Sequence, residues 1–289
     1  MRVFFFGLGY CARRLIQRET WIEASGTART AETVAALRRE PIEAYQFDGT
    51  DADPGLEQAL GKAEAIVVSI PPREGAGATL DRFGPTIAAS PALRRVAYYS
   101  TIGVYGDHGG AWVDETTATL TRTARGRARL EDEARWAGAA RARGAEADIL
   151  RLAGIYGPGR NALVNLRRGE ARRIVKSGQV FNRAHVGDIA EISRLVLTRN
   201  LKGQTWNVAD EEPAPPQDVI AYAAALLGLK PPLEEPFDQA RLSPMAQEFY
   251  ADNKRVSIAK AKAELGFAPV YPTYREGLKA LAEAGEGRA

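Results

Sequence analysis

The hydrophobic pattern of the chain opens with a short, wholly apolar run at residues 3–6, followed directly by a turn that contains Gly7 and Gly9. A run this short and this apolar predicts a strand buried on both faces, as in a parallel sheet. The next residues predict a helix over 10–19, with Leu15 among its core-facing side chains. Strand, glycine turn and helix start therefore follow one another at once.

The same alternation recurs over the first half of the chain. The pattern predicts strands at 22–28, 42–47, 65–70, 95–99 and 147–152, and helices at 31–39, 56–60, 80–89 and 124–143. Pro85 is expected to interrupt or open the helix at 80–89, and the glycine-containing stretch 75–77 is expected to be mobile. About six alternations of strand and helix predict an α/β fold, a doubly wound parallel sheet of the Rossmann type.

The pattern becomes less regular after residue 160, where prolines cluster. Helices are still predicted up to 197, at 218–227, 258–265 and 273–283, with a strand at 206–209, while 237–250 is ambiguous. We therefore expect a nucleotide-binding domain over 1–160. A smaller C-terminal substrate-binding part over 161–289 would return some strands and helices to the Rossmann core.

Composition narrows the function classes. Hydrophobic residues make up 45% of the 289 residues and charged residues 26%, as in ordinary globular proteins. The net charge of +3, with scattered basic residues, predicts no nucleic-acid partner. One cysteine and two histidines argue against a disulfide and a zinc site, so no metal is expected. No stretch approaches ~20 apolar residues and the chain starts on a core strand, so we expect no membrane span, no signal peptide and a cytoplasmic location.

The glycine turn has the spacing G-x-G-x-x-A. Gly7 permits a tight turn, Gly9 leaves room for a pyrophosphate, and Ala12 keeps the helix close to the strand. Tyr10 and Cys11 lie at the helix start, whose N–H groups and positive dipole end favour an anion. The turn therefore predicts dinucleotide binding; the alternative is a glycine turn that binds nothing.

Three later strand ends extend the predicted cofactor site. Arg29 follows the second strand, where its donors suit the 2′-phosphate of NADP, so NADP is favoured over NAD; alternatively it is only solvated. Asp48 could accept a hydrogen bond from an adenine amino group or cap the next turn. Ser69, Ile70 and Pro71 would form a rigid lip over the nucleotide, or a plain loop.

Five stretches, in order, resemble the extended short-chain dehydrogenase/reductases, which include nucleotide-sugar epimerases and dehydratases. They are residues 7–12, Ser100-Thr101 before Val104-Tyr105-Gly106, Arg151 with Ile155-Tyr156-Gly157-Pro158, residues 185–190, and Glu264-Leu265-Gly266-Phe267 with Tyr271-Pro272 and Gly277-Leu278. The G-x-G-x-x-A spacing is similar to that of an atypical branch of the family. The resemblance implies an NAD(P)-dependent oxidoreductase or epimerase/dehydratase-like enzyme on a small polar, anionic or sugar-derived substrate. It also implies a homodimer through the helix at 124–143, although the many charges on that helix argue against one.

The resemblance also assigns a reactive centre of Ser or Thr, Tyr and Lys. Thr101 matches the Ser/Thr position and would also line the cofactor path. Arg125 and Arg129 fall at the Tyr and Lys positions, and arginine stays protonated, so Arg125 cannot exchange a proton as tyrosine does. Arg129 could hold a ribose or phosphate. The two arginines would suit an anionic substrate, or they are simply a wet surface.

Other groups could then handle protons or substrate. Tyr105, Tyr156 and His185 are the candidates, and Gly154 and Ile155 are expected beside the cofactor. The alternatives are that the tyrosines only pack and that His185 holds a loop by hydrogen bonds. Two functions remain open: an enzyme, or a catalytically silent NADP-binding redox sensor.

Overall fold

The computed structural model describes residues 1–72 and 78–288, so the predicted mobile stretch 75–77 lies outside it. Its strands are β1 (Arg2–Phe6), β2 (Glu23–Ala28), β3 (Ile42–Gln46), β4 (Ala65–Val68), β5 (Arg95–Thr101), β6 (Trp112–Val113), β7 (Glu146–Leu152), β8 (Gly154–Tyr156), β9 (Arg173–Val175), β10 (Arg183–His185), β11 (Thr205–Val208), β12 (Glu234–Pro236) and β13 (Arg255–Val256). Its α-helices are α1 (Tyr10–Arg18), α2 (Ala31–Leu37), α3 (Leu56–Gly61), α4 (Ala78–Ala89), α5 (Ala124–Arg143), α6 (Ala162–Arg167), α7 (Val186–Thr198), α8 (Pro216–Leu226), α9 (Pro244–Ala251), α10 (Ala259–Leu265) and α11 (Tyr274–Glu283). A 3₁₀ turn, Ile102–Tyr105, follows β5.

The central sheet has seven strands in the order β11-β7-β5-β4-β1-β2-β3. Strand β1 pairs in parallel with β2 on one side and with β4 on the other, so the chain winds outward in both directions from β1. Its residues 3–6 are fully buried, because strands and helices cover the apolar run on every side. The predicted doubly wound parallel α/β sheet is confirmed.

Contacts divide the chain into two compact units, each assembled from separate segments. Unit 1 comprises Met1–Val104, Arg122–Arg151 and Ile189–Trp206. Unit 2 comprises Tyr105–Thr121, Leu152–Asp188 and Asn207–Ala289. The boundary expected at residue 160 stays a prediction.

Each unit has its own hydrophobic core. In unit 1, the ring of Phe6 lies 5.0 Å from Phe4, 5.5 Å from Phe83 and 5.8 Å from Trp136, measured between centroids. These distances are typical of aromatic packing. The contacts of Phe6 with Phe83 and Trp136 hold α4 and α5 against β1, the strand that precedes the glycine turn. In unit 2, Tyr274 and Leu278 belong to a separate cluster.

The expectation for Pro85 is wrong. Helix α4 runs from Ala78 to Ala89 with Pro85 inside it, so the proline neither opens nor interrupts the helix. Proline removes one intrahelical donor, but Phe83 and Ile87 on either side of it are buried in the core of unit 1. Tertiary packing therefore overrides the local preference.

The ambiguous stretch 237–250 contains the start of a helix, α9, at Pro244. Ser243 caps it by accepting a hydrogen bond from the Ala246 N–H at 3.3 Å, and proline at the first helical position suits a helix start. No helix of 1–72 or 78–288 has both the length and the apolar character that crossing a membrane requires.

Candidate functional site

The turn after β1 is clamped from both neighbouring strands. Gly7 has a φ of +96°, and a Cβ there would lie 2.6 Å from Ile70 Cγ2, so only glycine fits. Its N–H donates to Thr27 Oγ1 at 2.9 Å, and the Ser69 hydroxyl donates to its carbonyl at 2.6 Å. Thr27 is buried and carries no sequence signal for this task, so our sequence reasoning missed it.

The second glycine lies at the start of α1. Gly9 is the N-cap residue, no side chain caps the helix, and its first turn contains no acidic residue. Gly9 is exposed, and a Cβ built on it would meet no described atom within 4 Å beyond its own chain neighbours and helix. Cys11 and Ala12 are buried and hold the helix in place, while Tyr10 is half-buried. The positive end of the helix dipole therefore faces open space, which suits an anion.

The segment after β4 closes the turn from the other side. The N–H groups of Ser69 and Ile70 both donate to the Phe6 carbonyl, at 2.9 and 3.2 Å. Pro71 follows and is exposed. The strand end is thus fixed beside the glycine turn, as the predicted lip requires; contact with a nucleotide stays a prediction.

The next two strand ends differ from each other. The Arg29 side chain is exposed and forms no hydrogen bond or ion pair with any residue that the structure describes. Asp48 Oδ1 accepts hydrogen bonds from the Thr50 N–H and hydroxyl, both at 2.8 Å, and from the Asp51 N–H at 3.0 Å. This geometry favours the turn-capping alternative for Asp48, and its adenine contact stays a prediction.

Helix α5 carries both arginines of the predicted reactive centre. Arg125 is exposed, whereas Arg129 donates to the Tyr99 carbonyl at 2.7 Å and to the Tyr98 hydroxyl at 3.3 Å. Arg129 is therefore fixed against β5. Thr101, at the end of β5, accepts a hydrogen bond from the Gly103 N–H at 3.1 Å and is half-buried.

A buried ion pair supports this part of unit 1. Arg151 on β7 donates to both carboxylate oxygens of Glu133 on α5, at 3.2 and 2.8 Å, and the Ser100 hydroxyl donates to the same carboxylate. All three side chains are buried. Acidic residues also occupy positions 131 and 132, so no sequence signal singled out Glu133.

The candidates in unit 2 are packed. Tyr105 is fully buried and donates to Asn207 Oδ1 at 2.8 Å. His185 is buried, and its Nδ1 accepts a hydrogen bond from the Gly187 N–H at 3.1 Å. The ring of Tyr156 lies edge-on to His185 at 5.1 Å. These contacts favour the packing alternatives, and the catalytic and substrate roles stay predictions.

Gly154 and Ile155 lie on β8, which pairs in parallel with β10. Gly154 is exposed and donates its N–H to the Asn182 carbonyl at 3.1 Å, while Ile155 is half-buried. A Cβ at 154 would lie 3.1 Å from that carbonyl oxygen, so glycine relieves crowding here. Their contact with a cofactor stays a prediction.

Asp210 is a buried acid that sequence reasoning missed. Neither of its carboxylate oxygens has a hydrogen-bond partner within the described parts of the chain. Burial raises the pKa of Asp210 to about 8; the charge of Arg183 and the nearby N–H groups of Arg183 and Glu212 offset part of this effect. Those N–H groups lie near the carboxylate without reaching hydrogen-bond geometry. Burial also raises the pKa of Tyr156, and the charge of Asp210 adds to that shift.

The structure groups no three His, Cys, Asp or Glu side chains into a metal-binding arrangement within 1–72 and 78–288. The site features of unit 1 are instead a glycine turn, a helix start and exposed arginines, which suit a phosphate-bearing ligand.

Comparisons with known proteins place this fold. No family model matches the chain. Protein YeeZ of Escherichia coli (strain K12) is 31% identical over 250 residues, which cover 80% of this chain and 85% of YeeZ. A functionally unknown conserved protein from Silicibacter pomeroyi DSS is 41% identical, with a TM-score of 0.87 over 99% of both chains. UDP-glucuronic acid 4-epimerase from Bacillus cereus, solved with NAD, shares the fold at 17% identity, with a TM-score of 0.73 over 97% of both chains. The fold that the resemblance to the extended short-chain dehydrogenase/reductases implies is confirmed by this shared fold.

Proposed function

The chain belongs to the family of protein YeeZ and shares the fold of a UDP-glucuronic acid 4-epimerase solved with NAD, and from these facts we propose that it binds NAD(P) through unit 1. It would act as an oxidoreductase or epimerase/dehydratase-like enzyme on a small polar substrate. Its chemistry would run without the usual Tyr/Lys pair, since the resemblance assigns those two positions to Arg125 and Arg129, which both lie on α5.

One observation carries this proposal: the start of α1 is open and faces no acidic side chain of its own first turn. Gly7 is held on both sides, so the turn is rigid, while the space beside Gly9 is clear of described atoms. A pyrophosphate placed there would meet the positive end of the helix dipole without rearranging the protein.

The exposed side chain of Arg29 supports NADP as the preferred cofactor. It follows β2 and makes no side-chain hydrogen bond to the described residues, so its fork of donors is available to a 2′-phosphate. The Bacillus cereus epimerase was solved with NAD, so NAD is the competing choice.

The proposed substrate class rests on the positive charge on α5 and on the similarity to the Bacillus cereus epimerase. Arg125 presents an exposed cation on α5, which favours an anionic group on the substrate. The Bacillus cereus neighbour acts on a UDP-linked sugar acid, which combines sugar and negative charge. A small anionic or sugar-derived substrate is therefore the proposal for this chain.

Calorimetric titration with NADP and NAD tests the cofactor assignment. Gly9→Val should abolish binding of both while the protein stays folded, because the added side chain enters open space that the pyrophosphate needs. Near-ultraviolet circular dichroism checks the fold. Tight binding by the folded variant would remove the pyrophosphate from this turn.

Arg29→Ala serves in the same titration as the test of cofactor preference. It should weaken NADP binding by roughly tenfold or more, equivalent to one charge-assisted contact of about 1.5–3 kcal/mol, and leave NAD binding almost unchanged. Equal losses for both cofactors would contradict the preference for NADP. Arg39→Ala, an exposed arginine beyond α2, is the matched control.

The alternative is a catalytically silent NADP(H)-binding sensor. It is favoured by Arg129, whose hydrogen bonds to the Tyr99 carbonyl and the Tyr98 hydroxyl give it a structural task. Incubation with NADPH and a panel of sugars, keto acids and aldehydes separates the two functions. Micromolar NADPH binding with no cofactor oxidation across the panel would favour the sensor.

A further inference from the structure

Unit 2 contains a cleft of about 520 Å³ that the proposed cofactor site does not use. Val256, Ile258 and Ala259 contribute to its apolar lining, and Glu211 and Lys262 stand at its polar part. Its size falls within the range of small-molecule pockets, which are mainly apolar with a few polar groups.

Trp112 lines this cleft and is left 59% exposed. Of the other three tryptophans, Trp136 and Trp206 are buried and Trp21 is half-buried. Neighbouring residues of a strand point to opposite sides, and Val113 takes the buried side, so Trp112 is directed outward. Its indole N–H has no hydrogen-bond partner in the described chain, so both a ring face and a donor are presented to a ligand.

The cleft is built on hydrogen-bonded backbone. Strand β6 pairs with β13, where Trp112 lies opposite Arg255, and the Ser257 N–H donates to the Val113 carbonyl at 2.9 Å. The Ala259 N–H donates to the Ser257 hydroxyl at 3.2 Å. A ligand would therefore meet a preformed surface, with little ordering cost.

Charge selects the ligand class. Lys262 and Glu211 form an ion pair at the cleft, so these two charges neutralise each other. The apolar lining, the exposed indole ring of Trp112 and the neutralised ion pair therefore do not favour a strongly charged ligand. We propose that this cleft binds an uncharged ligand that stacks a ring on Trp112, the chemistry shared by a nucleobase and by the apolar face of a sugar.

Fluorine NMR of protein labelled with 5-fluorotryptophan tests this directly, because the chain has four tryptophans and Trp112→Phe identifies one resonance. Uridine and methyl β-D-glucopyranoside are the two probes, one for a base and one for a sugar. At least one should shift the Trp112 resonance saturably, and Ala263→Phe, which fills the cleft, should weaken that effect at least tenfold.

Leu233→Ala, an exposed apolar residue of unit 2 outside the cleft lining, is the control and should bind the probe as the parent protein does. Gly9→Val should also retain the effect, which separates this proposal from the cofactor assignment. No saturable shift with either probe, or an unchanged shift in Ala263→Phe, would overturn the proposal. So would sedimentation showing self-association that Trp112→Ala abolishes, because the ring would then be an interface between copies.

Discussion

At the scale of single residues, the two glycines of the turn are needed for different reasons. Gly7 is required by backbone conformation and by the closeness of Ile70, whereas Gly9 lies in open space and is not required by packing. A side chain at 7 would strain the fold, and one at 9 would obstruct only what binds there. The two glycines of one motif are thus separable by experiment.

Asp210 should make stability depend on pH. Its pKa is raised to about 8 in the folded protein, against an ordinary value of 3.8, so the folded state keeps a proton that the unfolded state releases. Stability should therefore fall as pH rises from about 4 to about 8, with a slope of up to ~1.4 kcal/mol per pH unit from this group. Urea unfolding between pH 5 and 9 measures the slope.

Asp210→Asn should remove this contribution to the slope and stabilise the protein above neutral pH, because the amide carries no charge to bury. Asp238→Asn changes an exposed carboxylate of the same unit and should leave the slope as it is. An identical slope in Asp210→Asn and the parent protein would show that the buried carboxyl stays ionised.

At the scale of elements, long and strongly periodic segments were predicted best. The helix expected at 124–143 coincides with α5, which Thr123 caps at its start and Gly144 at its end. The prediction for Pro85 was wrong because proline disfavours a helix only locally, whereas α4 stays helical through the buried contacts of its other residues. Likewise, β11 could be recognised as a strand, but its place at the sheet edge depends on distant pairing.

The Glu133–Arg151 pair should be the strongest single tie between α5 and β7. Arg151→Met leaves the Glu133 carboxylate buried without its cation, and we expect a loss of about 3–5 kcal/mol in the free energy of unfolding. The double variant Glu133→Gln/Arg151→Met should recover much of that loss, because no uncompensated charge is left. Denaturant unfolding of both variants measures this, and simple additivity with Glu133→Gln would contradict it.

At the scale of the whole molecule, the chain passes between its units repeatedly. Unit 1 includes Ile189–Trp206, although these residues come after the predicted domain boundary. Ser193 from this segment shares a 2.7 Å hydrogen bond with the buried Tyr99, and Trp206 donates to Asp148 at 2.7 Å. Unit 1 therefore needs a segment that lies far from its glycine turn in the sequence before its core is complete.

A fragment of residues 1–160 should consequently fail to fold cooperatively. It lacks the fully buried side chains of Trp206 and Ile192, each worth about 1.5–3 kcal/mol, and it leaves Tyr99 without its partner. Thermal unfolding followed by near-ultraviolet circular dichroism compares the fragment with the full chain. A sharp transition in the fragment would instead support independent folding up to residue 160.

The sequence by itself determined the central strand, the glycine turn and the α/β alternation, because these arise from local periodicity and from the conformational freedom of glycine. Only the tertiary structure decided that Thr27 and Ser69 clamp the turn and that Glu133 pairs with Arg151. It alone buried Asp210 and left Trp112 exposed. Burial, pKa and hydrogen-bond partners are set by residues that are remote in the chain. A local sequence pattern does not encode which remote segment packs against a given residue.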